Sequence, residues 1–182
     1  KKALLDEGAP SDLIKDLCVS LVSWDKKTRT FIESLLRHSD ETRRYAALHA
    51  LSRVRALIAP ESLMKLANED SSRLRKLACS MLRRGQISVA HVEILAISDY
   101  SDVREFALVT VLKDYKKTPA VLEALYDLML DEELQIRSYA LKAIWEVKLE
   151  DRYEIFEKSL SDSEPAVRNL AAGILLNSGD AK

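Results

Sequence analysis

Apolar and polar positions along this chain follow a helical rhythm that returns about every thirty residues. Counted from five arginines (Arg44, Arg75, Arg104, Arg137 and Arg168), an alanine stands three positions later, at Ala47, Ala78, Ala107, Ala140 and Ala171. An aliphatic side chain stands seven later, at Leu51, Leu82, Val111, Ile144 and Leu175. Twelve positions before the arginines come Ile32, Leu63, Val92, Leu125 and Phe156. Nine before come Leu35, Leu66, Leu95, Leu128 and, as the exception, Ser159; eight before come Leu36, Ala67, Ala96, Met129 and Leu160. Spacings of three and four put each set on one stripe of an α-helix. The pattern therefore predicts two helices per repeat, the second starting a few residues before its arginine. The residue just before the arginine is apolar at Leu74, Val103, Ile136 and Val167, and Arg43 breaks that rule in the first repeat.

The arginines are separated by 31, 29, 33 and 31 positions. A period of this size marks a repeat architecture. The expected fold is all-α: a right-handed α-solenoid of about five helical hairpins plus an N-terminal capping helix. One repeat domain is expected over 1–182, with repeats near 28–58, 60–86, 88–116, 118–149 and 150–178 and a cap at 11–24. Ser11-Asp12 can cap the first helix, and that helix can equally be the remnant of an earlier repeat, since end repeats are atypical. Pro60 and Thr118-Pro119 mark helix starts, as do Ser88 after the Gly85 break and Glu150-Asp151, while Asn177-Ser178-Gly179 marks a stop. The alanine column has a stacking reason: a small side chain lets neighbouring helices approach closely, and a larger one would cost about 1–3 kcal/mol. Trp24 is expected to cover the N-terminal end of the core.

Composition narrows the class. Gly and Pro number 4 each, too few for a turn-rich β fold. No stretch approaches the ~18 apolar residues that a membrane helix needs. Cys18 and Cys79 stand far apart without metal-type spacing, and read as small buried hydrophobes in a reducing compartment. The expected location is cytoplasmic. The chain opens on Lys rather than Met, so an upstream part is expected, and it could carry a membrane anchor or another domain. Charge is uneven: residues 1–91 hold 17 Lys+Arg against 11 Asp+Glu, or +6, and residues 92–182 hold 11 against 18, or −7. Such asymmetry suits an anionic partner near one end or head-to-tail contact between copies.

The last repeat reads Asp162-Ser-Glu-Pro165-Ala-Val167-Arg168-Asn-Leu-Ala171-Ala-Gly-Ile174-Leu175, and the fourth reads Asp131-Glu-Glu-Leu-Gln-Ile136-Arg137-Ser-Tyr-Ala140-Leu-Lys-Ala143-Ile144. Both resemble the core of HEAT repeats, in the short form also found in bilin-lyase-like HEAT proteins. The resemblance covers about residues 28–178. It implies a ladder of Asp and Arg between neighbouring turns and helices, with Asp131–Arg137 and Asp162–Arg168 at the family's six-residue offset. Asp40, Asp70 and Asp99 stand only four or five before their arginines. It also implies a protein-binding scaffold, although some relatives attach bilins and others are DNA glycosylases. Fold alone does not choose among these.

Candidate chemistry is sparse. The four glycines build no phosphate loop, and His38, His49 and His91 are scattered. Asp131-Glu132-Glu133 sits where it would complement a helix N-terminus rather than hold a metal. No catalytic residue, cofactor or metal is expected, and the protein is read as a non-enzyme. What remains is the outer face of the second helices, which lines the groove where solenoids usually hold partners. The candidate partner-binding residues are Tyr45, His49, Arg53, Arg73, Lys76, Arg83, Arg84, Glu105, Val109, Lys113, Lys142 and Trp145. Arg53, Arg73, Lys76, Arg83 and Arg84 form a basic patch suited to an acidic peptide, an anionic lipid surface or nucleic acid. Val109, Leu112 and Trp145 form a partly apolar strip. The alternative partner is nucleic acid at the basic patch, against which stand the slightly negative total charge and the few aromatics on this face.

Overall fold

The structure is a computed structural model that describes residues 4, 6, 8–85, 87–112, 118–148 and 150–178, with the backbone alone for 110–112 and 120. The chain divides into two compact units, Lys1–Ile87 and Ser88–Lys182. The first contains α1 (Ser11–Leu21), α2 (Lys26–Ser34, continued by a 3-10 turn at Leu35–Arg37), α3 (Glu41–Arg53), α4 (Pro60–Ala67) and α5 (Ser72–Leu82). The second contains α6 (Val89–Ala96), α7 (Ser101–Phe106, running on as a π turn at Ala107–Leu112), α8 (Pro119–Leu128), α9 (Leu134–Val147), α10 (Arg152–Ser159) and α11 (Pro165–Asn177).

Local chemistry sets most helix starts. Asp25 caps α2 by accepting from the Thr28 amide at 2.7 Å, and Asp40 caps α3 through the Thr42 amide at 2.9 Å. Proline opens α4, α8 and α11, where its missing N–H costs nothing. The start of α1 differs from expectation: Ser11 is its first helical residue, Pro10 holds the cap position, and no side chain caps it.

Within the first unit, α2 pairs with α3 and α4 with α5, while α1 packs on α3 and α3 on α5. Thus α1 stands where the second helix of a preceding repeat would stand. Within the second unit, α6 pairs with α7, α8 with α9 and α10 with α11; α6 also packs on α8, α7 on α9 and α9 on α11. Second helices thus stack on second in each unit, and the first helix α6 stacks on the first helix α8, which is the packing of an α-solenoid.

The predicted columns form most of the core; Met129 and Leu175 are half-buried, and the Val111 side chain lies outside the described residues. All five alanines are 0% exposed, and the aliphatics of the twelve-before column are buried with Phe156. Ser159 interrupts its apolar column at little cost, because its hydroxyl donates to the Ile155 carbonyl at 2.8 Å. Leu160 departs from the pattern at 40% exposed, since no first helix stacks beyond α10 among the described residues. Trp24 is also corrected: it is 72% exposed in the turn after α1, and Val22 is buried instead.

The arginine column ties the loops together. In every repeat its Nη1 donates to the carbonyl six positions earlier: Arg44 to His38 (2.7 Å), Arg75 to Glu69 (2.9 Å), Arg104 to Ser98 (2.8 Å), Arg137 to Asp131 (2.7 Å) and Arg168 to Asp162 (2.6 Å). The rest of the guanidinium reaches forward to the next repeat's carboxylate: Arg44 to Glu69 at 2.7 Å, Arg104 to Asp131 at 2.6 Å and Arg137 to Asp162 at 3.0 Å. Asp131 and Asp162 also accept from the amides of Glu133 and Glu164, the residues that precede their own second helices. The side-chain partners are therefore not Asp131–Arg137 and Asp162–Arg168. Each Asp meets the preceding repeat's arginine and offers its own arginine a main-chain oxygen. Glu69, one position before Asp70, fills this position in the second repeat.

Arg43 is buried although it stands in an aliphatic column. Its Nε donates to the Leu4 carbonyl at 2.9 Å, and its other nitrogens reach the Asp6 carbonyl and the Asp40 carboxylate. A long donor here satisfies main-chain acceptors of the N-terminal segment that an aliphatic side chain would leave unpaired.

Candidate partner-binding face

The outward positions of α3 and α5 lie together on the first unit. Tyr45 and His49 are half-buried on α3, and Arg53 is exposed at its end. Arg73 and Lys76 are exposed on α5, with Arg83 and Arg84 exposed just after it. Helical spacing puts these side chains on one face because their inward neighbours fill the stacked core.

Arg73 is not an open cation. Its guanidinium lies 4.7 Å from the Tyr45 ring centroid, and its Nε donates to Glu41 Oε1 at 2.7 Å. The Ser71 hydroxyl donates to the same oxygen at 2.6 Å. These contacts hold the Glu41 carboxyl at about 2, the Arg73 hydrogen bond being the largest cause. The same pairing raises Arg73. Sequence reasoning missed Glu41, whose partner lies 32 positions away and becomes visible only once α3 and α5 are stacked.

His49 carries a second feature that spacing did not reveal. Its Nδ1 is buried without a hydrogen-bond partner among the described residues, and the ring lies 6.1 Å from Tyr45. Burial first, then the charges of Lys15 and Arg53, hold the imidazole below its ordinary value. Lys15 comes from α1 and belongs to this neighbourhood because α1 packs on α3.

The remaining candidates lie on the second unit. Glu105 is half-buried and Val109 exposed; Lys142 is exposed, with its Nζ 5.6 Å from the Tyr139 ring. Lys113 lies outside the described residues, as does the Leu112 side chain. Trp145 turns toward α10. Its ring makes edge contacts with Tyr153 at 6.1 Å and Phe156 at 5.7 Å, under the Arg152 guanidinium at 5.4 Å. It covers the core between the fourth and fifth repeats.

Among the described residues there is no group of His, Cys, Asp and Glu arranged to hold a metal ion. No described helix is long and apolar enough to cross a membrane. Both cysteines are buried thiols outside any disulfide, and burial pushes Cys18 up to about 11.

Comparison with known proteins places the fold. No protein-family model matches the chain, and no curated protein matches it. Among solved structures it is similar to a designed armadillo repeat protein in complex with the peptide (KR)4, at 14% identity and a TM-score of 0.50, covering 96% of each chain. It is also similar to the crystal structure of an engineered protein, at 17% identity and a TM-score of 0.50, covering 100% of this chain and 57% of the other. The chain is a helical-repeat protein of the α-solenoid class.

Proposed function

We propose that this protein is a non-enzymatic HEAT-like scaffold that holds a segment of a partner protein against the second helices of its first two repeats. The observation that carries this reading is the face shared by α3 and α5. It combines a half-buried tyrosine, exposed Lys76, Arg53 and Arg84, and an Arg73 already fixed by Glu41 and Tyr45. A pre-set polar and aromatic surface of this kind loses little side-chain entropy on binding. The exposed cations select a segment with acidic residues. The designed repeat protein named above is in complex with a peptide, and that likeness supports taking a peptide segment as the occupant.

The test is fluorescence anisotropy with a fluorescein-labelled octapeptide of alternating glutamate and leucine. Wild type should bind it, and the Lys76→Glu, Arg53→Glu double variant should bind roughly tenfold or more weakly, as expected when like charges replace complementary ones. Equal affinity of the two proteins would remove the face from the account. Tighter binding to duplex DNA than to the peptide, lost in the same variant, would replace the peptide with nucleic acid.

A further inference from the structure

We infer that a cleft on the loop edge of the first unit anchors an acidic, aliphatic segment of the partner, the apolar floor taking one branched side chain and Arg55 and Arg84 taking the carboxylates beside it. This rests on the reading above only in taking a protein segment as the occupant. The cleft lies at the C-terminal ends of α3 and α5, away from Tyr45 and Lys76.

The cleft is about 540 Å³, within the size range of small-ligand pockets. The loop after α3 supplies Leu57 and Ile58, and the end of α5 supplies Met81 and then Ile87. Leu57 stands 93% exposed at its side. Among the described residues, the only charged ones lining it are Arg55 and Arg84, and no carboxylate does. Neither arginine makes an ion pair among the described residues, unlike Arg43, Arg44 and Arg73 in the same unit. An apolar cavity bordered by two unneutralised guanidiniums complements an aliphatic group flanked by negative charge.

A second observation points to Arg55 itself. Its φ is 49°, the left-handed region that disfavours residues with a Cβ. The Arg55 amide donates to the Ser52 carbonyl at 3.2 Å and the Ala56 amide to the Leu51 carbonyl at 3.0 Å, the hydrogen-bond pair with which helices usually end on glycine. An arginine at this position carries backbone strain that glycine would not. Strain of this kind gathers at sites of function, and here the strained residue's side chain borders the cleft.

The experiment uses the full chain and the same labelled glutamate–leucine octapeptide, with glutamate–serine and lysine–leucine octapeptides as controls. Wild type should bind the first at least tenfold more tightly than either control. Arg55→Gly should weaken that binding about tenfold while the melting temperature stays level or rises, because glycine relieves the left-handed turn. Leu57→Asn should weaken glutamate–leucine binding and leave glutamate–serine binding unchanged. Wild-type affinity in Arg55→Gly overturns the cleft, and if Lys76→Glu, Arg53→Glu still weakens binding, the second-helix face stands without it. The reverse pattern keeps the cleft and removes the face. Binding of decanoate without binding of any peptide overturns the proposed occupant.

Discussion

The arginine column shows how one residue type does two jobs. Arg137 donates to the carbonyls of Asp131 and Glu132 behind it and grips Asp162 ahead, with both side chains of that pair largely buried. Arg168 makes the same bonds behind it, to Asp162 and Ser163, and meets no carboxylate among the described residues. Arg137→Ala should therefore cost about 2–3 kcal/mol in chemical denaturation, because it strands a carboxylate as well as two carbonyls, and Arg168→Ala about 1 kcal/mol. Equal costs would mean that the forward ion pair contributes nothing. For Asp131 and Asp162, burial pushes the carboxyls up, but the arginines and the helix-start amides outweigh it and leave both lowered. His49 gives a separate window. Its imidazole is held below the ordinary value, so the unfolded chain takes up that proton first. Stability should fall as pH drops below the usual histidine value of ~6.5. His49→Gln should flatten that part of a melting-temperature profile between about pH 8 and 5.5. The lowered carboxylates weaken the fold only at more acid pH, since their native-state values lie below the unfolded ones.

At the scale of the element, the periodic pattern fixed helices and inward faces well. It misplaced residues whose cover depends on a neighbour. Leu160 has the spacing of a core residue, but a helical stripe is buried only if another helix lies on it. Trp24 is large and apolar, yet the turn after α1 directs Val22 inward instead. Arg43 is the converse, a charged residue buried for the main-chain acceptors it meets. Arg43→Leu would restore the column but should release the segment around Leu4 and Asp6, seen as faster amide exchange at Gly8, Ala9 and Ser11 with α5 unchanged. The fully buried Ala107 belongs to the stacking surface of its helix, so Ala107→Leu should lower the melting temperature by an amount equivalent to about 1–3 kcal/mol. Unchanged unfolding of that variant would refute the register.

For the whole molecule, the charge asymmetry of the sequence coincides with the structural division. The unit Lys1–Ile87 contains every basic residue of the +6 half. That count overstates what a partner meets, because Arg43, Arg44 and Arg73 are committed inside the unit. Exposed cations include those of the α3–α5 face and the loop-edge cleft, with Lys26, Lys27, Arg29, Arg37 and Lys65 exposed elsewhere on the unit. Binding of the acidic octapeptide should weaken as salt rises, since exposed charges are screened beyond about 10 Å at 0.1 M.

The sequence alone determined the all-helical class, the two helices of each repeat and the inward columns, because helical periodicity is local and survives without knowledge of contacts. It also marked the second-helix face, which is the complement of those columns. Only the tertiary structure decided which carboxylate each arginine meets, that Glu41 and Tyr45 immobilise Arg73, that Trp145 faces α10, and that Arg55 borders a cleft. The ion pairs and the Arg73 clamp depend on contacts some 25 to 32 positions apart, and the Trp145 contacts on residues 8 and 11 positions further on. Such pairs are set by how one hairpin is seated on the next, and a one-dimensional pattern does not contain that seating.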